Sequence, residues 1–412
     1  MGVSIWEGNK AERVASALEL IAIAQAGTIS VLTGEAIKQI VRSGLAAKAF
    51  SIGQQVDTTF NPDGSTTQYD MPLDMVSFAD AVNADGETVP ALWLESHWAL
   101  PGVQFDASEA IWYCNEALPA GTYYFTFGNN WGTHVVANKS YQFTLETGLD
   151  VGGQIVVGTA SSFYTWAAPD QNPTNWRVYT FANAKSITPV EGPLTLTEGT
   201  SGTSLGTMSS STKYGTTGLN NLQRCAYGYN RWSQSGIRQW MNSAAPAGEW
   251  WEPKNVYDRP PQQLATMRGM LAGIPSDILD VVQPVQVVTA LNTVSDSEIG
   301  TTETTVDKFF LASLEQEYIV PQLANVEGPY WPYWKDRLGL TSPQAQGSAG
   351  TNANHIRYDI ANHTSAQGVR LRSAVRGSAY GTWVVSPSGG ANGSGSGAAA
   401  GASRPCPACV IC

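Results

Sequence analysis

The chain has 412 residues, a formal net charge of −11 and only 14% charged residues. That length exceeds what one hydrophobic core organises and points to two or three domains, and the low charge with abundant Gly, Ser and Thr suits a loop-rich chain with much β structure. No basic stripe is present to neutralise phosphates, which argues against nucleic-acid binding, and no run of about 20 apolar residues is present to span a bilayer.

From Lys10 to Ala26 the residues Val14, Leu18 and Ile21 recur at helical spacing, and Gly27 stops the pattern. Lys10 and Arg13 ahead of Ala24-Gln25-Ala26 imitate a secretory leader, but Glu7, Glu12 and Glu19 break its charge and apolar pattern. A second helix is expected from Gly34 or Glu35, presenting Ile37, Ile40, Val41 and Leu45 and fraying by Ala47. Residues 1–48 therefore read as an N-terminal helical segment whose apolar stripes need partners, copies of the chain among them.

Residues 49–150 read as a small β domain. Tyr123, Phe125 and Phe127 alternate with polar or outward positions, as do Tyr141, Phe143 and Leu145, which predicts two half-buried strands. Asn61-Pro62-Asp63-Gly64 is a hairpin signal. Trp93, His97 and Trp98 are read as core, the usual place of aromatic residues in a small β domain.

Residues 151–412 form the third part. An entering strand is expected at GGQIVVG, a helix capped by Ser233 and carrying Ile237, Trp240 and Met241, another helix over Gln262 to Leu271, and buried strands at Val285–Val288 and Phe309–Leu311. Asp296, Glu298, Glu303 and Asp307 offer oxygen ligands for Ca²⁺, but a solvated turn is the commoner outcome for such a cluster. Pro169-Asp170-Gln171-Asn172-Pro173 has a faint likeness to a calcium-dependent sugar motif but stands in the wrong part of the domain. No phosphate-binding glycine loop, zinc-protease motif or nucleophile elbow occurs, and His97, His134, His355 and His363 stand far apart. Glu315 and Glu317, two apart, point to different sides of a strand or helix and do not make a carboxylate pair.

Cys406, Cys409 and Cys412 make a CxxCxxC string, one ligand short of tetrahedral zinc, and with Cys114 and Cys225 the total of five is odd. Free thiols in a reducing cytoplasm, and no metal or cofactor, are the expectation.

The last fifty or so residues are the most informative. Val369 and Leu371 alternate with Arg370 and Arg372, which predicts a strand with two residues facing inward, and Val410 with Ile411 predicts a terminal strand buried on both faces. Between them lie mostly Gly, Ser and Ala. A Gly/Ser linker is the compositional reading, but a segment pinned between two strands reads better as loops laid over a sheet. From Ser373 to Arg404 there is no Lys, Glu, Gln, Met or Asp. The first four have no pyrimidine-ending codon, so they cannot arise when adenines of Asn codons are randomised; Trp383 cannot arise that way either and would be a fixed residue.

The strings GVRLRSAVRGSAYGTWVVSPSGG and RPCPACVIC, with YGYNRWSQSGIRQWMNS, EWWEPKNVYDRPP and TTVDKFFLASLEQEY upstream, resemble the variable structural proteins of phages and prophages of gut bacteria, which a retroelement diversifies. The resemblance runs through most of the chain and departs at Gly368, Val369 and Arg370, where that family often has aromatic residues. It implies an α+β chain: N-terminal helices, a small β domain, and a C-type-lectin-like (formylglycine-generating-enzyme-like) domain with a variable region at about 365–405. It also implies a virion-surface protein, assembled in the bacterial cytoplasm, that binds a host cell-surface protein or glycan and contacts other virion proteins, as a homo-oligomer and by analogy a trimer. The expected ligand-binding residues are Ala374, Val375, Arg376, Ser378, Tyr380, Thr382, Trp383, Asn392, Ser394 and Ser396, with Arg376, Tyr380 and Trp383 as anchors. No catalytic residue is expected. The competing readings are a capsid or tail decoration protein and, further behind, a carbohydrate-active enzyme.

Overall fold

The computed structural model describes residues 33–166, 169–210, 218–347, 351–393 and 397–412. The helix expected over residues 10–26, with Ser394 and Ser396, lies outside them.

The central sheet is arranged around the C-terminal strand. Pro407–Ile411 is buried at all of its positions, as a strand covered on both faces must be. It pairs antiparallel with Leu92–Ser96 on one side, and on the other with Phe309–Leu311 and Val282–Gln283, which share its length. Leu73–Ser77 and Gln55–Val56 continue the sheet beyond Leu92–Ser96. The helix Gly34–Arg42 is capped by Thr33, whose hydroxyl accepts from the Ala36 amide, and buries Ile37, Ile40 and Val41. Its Arg42 Nε donates to the Cys412 carbonyl at 3.1 Å. The apolar stripe of this helix is thus covered within its own chain, and both expected domain boundaries are bridged by packing or pairing.

A second core lies between two four-stranded sheets. Gly121–Phe127 and Ser140–Leu145 pair antiparallel, with Thr203–Met208 and Thr197–Glu198 on the outer edges. Opposite them stand Trp112–Tyr113, Gln154–Thr159, Trp176–Phe181 and Glu191–Thr195. The inward rows meet in an aromatic core that includes Phe125, Phe127, Tyr141, Trp166 and Trp176. The third unit is the four-stranded sheet Ala391–Asn392, Thr382–Val385, Val369–Ala374 and Arg404–Pro405, which frames the segment of interest.

The expected α+β architecture with its N-terminal helical region is not what the chain adopts. Strand accounts for 31% and helix for 15%, in many small separate sheets. Of the apolar spacings read as helices, Gly34–Arg42 is one, but those in the third part shrink to short helices or single turns. Gln262 to Leu271 forms two 3₁₀ turns, Gln262–Ala265 and Met270–Gly273. Gly269 between them is extended and so close to Ser243 that a Cβ would meet its carbonyl oxygen at 2.3 Å. The helix carrying Ile237, Trp240 and Met241 is the short Gly236–Met241, and its cap is Ser235, not Ser233, which sits in a 3₁₀ turn and donates to Glu303. Among the described residues no helix is long and apolar enough to cross a membrane.

All five cysteines are buried and free. Burial raises the pKa of Cys406 and Cys409 well above that of an ordinary thiol.

Leu371 and Ile411 are each 1% exposed. Truncating either to Ala should cost about 2–5 kcal/mol of unfolding free energy, measured by urea denaturation. A loss no larger than that of a surface substitution would overturn the placement of these strands in the core.

Candidate functional site

Strand Val369–Ala374 departs from its expected alternation, because all six residues are buried, Arg370 and Arg372 included. A buried guanidinium must spend its donors on fixed acceptors. Arg370 donates to the Thr382 hydroxyl and to the carbonyls of Gly397 (3.3 Å) and Ala400 (2.9 Å). Arg372 donates to the carbonyls of Leu311, Val288 and Glu327. Desolvation lowers both to about 10, so both remain charged at neutral pH. These arginines tie loops to the sheet, and nothing in a two-residue alternation could have revealed it.

The turn 375–381 is closed by the Val375 amide donating to the Gly381 carbonyl at 2.8 Å. Side chains from elsewhere hold its main chain. Asn230 Nδ2 donates to the carbonyls of Ser378 (2.9 Å) and Gly381 (2.8 Å), Gln223 Oε1 accepts from the Ala379 amide (2.8 Å), and Gln322 Oε1 accepts from the Arg376 amide (2.7 Å). The same device recurs further along. Gln344 Nε2 donates to the Gly389 carbonyl at 2.9 Å and Gln104 Nε2 to the Ala399 carbonyl at 2.7 Å.

The expected binding residues divide on this frame. Ala374, Thr382 and Trp383 are buried, with Gly393 lying so close over the Trp383 ring that a Cβ would approach it to 3.0 Å. Their side chains lie beneath the loop, in its support. Val375, Arg376, Ser378, Tyr380 and Asn392 are half-buried. Arg376 spends part of its guanidinium on the Leu291 carbonyl at 3.0 Å.

Tyr380 does not stand alone. Its ring lies 4.9 Å from Tyr227 and 5.7 Å from Trp131, and Trp131 meets Tyr227 edge-on at 5.4 Å. The Tyr227 hydroxyl donates to Asp170 Oδ2 at 2.6 Å, and burial followed by this carboxylate raises the phenol pKa. Trp131 begins a turn closed by its amide on the Val135 carbonyl. The turn lies against Pro169 because Gly132, at φ 62°, has no Cβ; one would sit 2.1 Å from the proline ring. Sequence reasoning missed Trp131 and Tyr227 as site residues and set Asp170 aside with its motif. The available signal was an isolated Trp amid Asn, Gly and Thr at a hairpin tip, where a core residue is not expected.

Residues 222–230 join this surface to a polar floor. The helix Leu222–Tyr227 is capped by Asn221. Gln223 and Tyr227 turn to the loop, while buried Arg224 pairs with Glu109 at 2.5 Å and stacks over the Tyr229 ring at 3.7 Å. Asp106, Glu109 and Asp258 are all buried, with oxygens within 4.8 Å of one another, the arrangement among the described residues in which carboxylates come closest to a cation site. Their oxygens accept protein donors: the Tyr229 amide on Asp106, Asn220 on Glu109, and the Lys254 and Asn255 amides on Asp258. Desolvation, then the neighbouring carboxylates, raises Asp106 and Asp258 above the ordinary aspartate value.

The acids read as a calcium loop or solvated turn are largely neither. Asp296 accepts from Tyr229 and Asn292, Glu303 pairs with Arg231 at 2.7 Å, and Asp307 pairs with Arg238 at 2.6 Å. Glu315 accepts the amides of Val326 and Glu327 while Glu317 meets His355 Nε2 at 2.9 Å, so the two glutamates do serve different places.

Residues 211–411 match the model of a family described as a domain of unknown function, DUF6273. No curated protein and no solved structure matches the chain. The matched span holds Tyr227, Asn230 and Tyr380 but not Trp131 or Asp170, so the aromatic group is assembled from inside and outside it.

Arg224→Ala should cost about 3–5 kcal/mol, since it leaves Glu109 buried without its cation. The sign with pH is definite: carboxyls whose folded pKa is raised contribute stability that is full below the ordinary value of 3.8 and is lost as pH rises toward the folded pKa. Removing the guanidinium raises these carboxyls further, so the deficit relative to wild type should be larger at pH 8 than at pH 5 in urea unfolding. A pH-independent deficit would overturn this account of the floor.

Proposed function

We propose that this chain is a phage or prophage surface protein that presents residues 373–404 as a diversified, non-catalytic ligand-binding face. The observation that carries the reading is the way the segment is held. Between Arg376 and Ala399 its main chain is gripped by amide side chains that lie outside it, those of Gln104, Gln223, Asn230, Gln322 and Gln344. Every residue type offers a carbonyl, and all but proline an amide, so a loop fixed in this way keeps its path when its own side chains change. The half-buried Tyr380 ring is then open to replacement, whereas Ser378, whose hydroxyl accepts from the Gly381 amide at 3.0 Å, and Val375, packed on the core, also help to shape the turn. The codon pattern and the resemblance supply the setting: a virion surface, neighbouring virion proteins, and a host protein or glycan as ligand. Assembly into a homo-oligomer, a trimer by analogy, would raise the avidity of individually weak sites.

Sequencing the flanking DNA should find a reverse transcriptase and a near-copy of the segment encoding the C-terminal residues. In attachment assays with host cells, Tyr380→Ser should lower affinity roughly thirtyfold, as losing about 2 kcal/mol at an aromatic anchor would, while thermal melting changes far less than for Leu371→Ala. Asn230→Ala keeps every loop side chain and removes the grip, so it should speed amide exchange across 376–381 and lose attachment too. Attachment indifferent to both substitutions would overturn the proposal.

A further inference from the structure

Resting on that reading, we infer that the ligand of this face is a neutral oligosaccharide, and that it extends from the aromatic group into a second subsite outside the variable segment. The first half of the argument is the group itself. Trp131, Tyr227 and Tyr380 are half-buried rings drawn from three separate parts of the chain, with the exposed Asp170 carboxylate and the phenol hydroxyls at their margin. Ring faces carry partial negative charge and favour the slightly positive C–H faces of a sugar, and hydroxyls and a carboxylate match its hydroxyls.

The second half is a cleft of about 550 Å³ on the same loops. Its lining includes His134, Asn172, Thr174, Thr197, Lys139 and Glu198. The volume falls in the range of small-ligand sites, roughly 300–1,000 Å³. Lys139 and Glu198 pair at 3.0 Å, so among the described residues that line it the cleft offers hydroxyls and amides without an unpaired lysine or arginine for a phosphate or an acidic peptide. Two strands of chain connect it to the rings. His134 follows Trp131 by three residues, and Asn172 follows Asp170 by two. At 3.8 Å per step the two parts are separated by at most about 11 Å of chain, a reach suited to a short oligosaccharide. Gly132 against Pro169 locks the two loops together, so the rings and the cleft move as one surface. A ligand spanning both would keep a constant anchor at Trp131 while variation at Tyr380 altered its selectivity.

The test uses the full chain and a panel of neutral di- to tetrasaccharides of glucose, galactose, mannose and N-acetylglucosamine, with tryptophan fluorescence and calorimetry as readouts. At least one sugar should bind saturably. Trp131→Ala and Thr174→Trp, the second filling the cleft from an exposed position, should each weaken it by about tenfold or more with melting temperature unchanged. The inference is overturned if no sugar saturates, if binding ignores both substitutions, or if a host protein alone accounts for attachment. Attachment that depends on Tyr380 without any sugar bound sinks this inference and leaves the display reading intact. Sugar binding together with attachment indifferent to Tyr380 and Asn230 supports it and sinks the display reading.

Discussion

The constraint on which the rest depends is the placement of the last strand in the middle of the central sheet. Pro407–Ile411 takes hydrogen bonds on both edges and is covered on both faces, so the chain cannot release its C-terminal end without opening the core. The other end of the segment is the equally buried Val369–Ala374. A long, glycine-rich stretch held at both ends pays a closure entropy that grows only with the logarithm of its length. The sheet can therefore carry it, and its composition need not resist disorder unaided.

Between those ends the fixing is polar. Arg370 and Arg372 reach out from the strand to main-chain carbonyls, and five Asn or Gln side chains reach in from the surrounding chain. Burying charge and amide groups is costly unless each donor finds an acceptor, and here the acceptors are main-chain carbonyls, most of them in irregular loops. The same logic appears away from the site. Arg357 bridges Asp74 and Glu95 in the interior, with Tyr333 on Asp74 and Trp334 on Glu95, tying the 333–357 region to the central sheet. His97 adds its ring to Asp74 at 2.8 Å, a place in a polar network where the sequence reading had put it in an aromatic core.

Local pattern was informative wherever a residue's role depends on its near neighbours. The alternation of Tyr123, Phe125 and Phe127, and of Tyr141, Phe143 and Leu145, appears as paired strands with those rows inward. Ile37, Ile40 and Val41 are the buried face of the helix Gly34–Arg42. The signal at Asn61–Gly64 lies in the loop between the paired Thr59–Phe60 and Tyr69–Asp70. Pattern misled where a short apolar spacing was extended into a helix, as over Gln262 to Leu271, because one turn satisfies the same spacing when glycine and proline flank it.

The surface around residues 373–404 shows the division most clearly. The amino-acid order alone located the two strands that bound the segment, because composition and alternation are local properties. It set Arg370 and Arg372 opposite the inward Val369 and Leu371 and read Ala374, Thr382 and Trp383 as contacts, and the fold buries all five. It also could not bring Trp131, Asp170 and Tyr227 to Tyr380, residues separated by tens to hundreds of positions. Whether a side chain is a tie, a floor or a contact depends on which distant carbonyl or ring lies opposite it, and that is set when the sheets pack, by pairings that no short window of sequence contains.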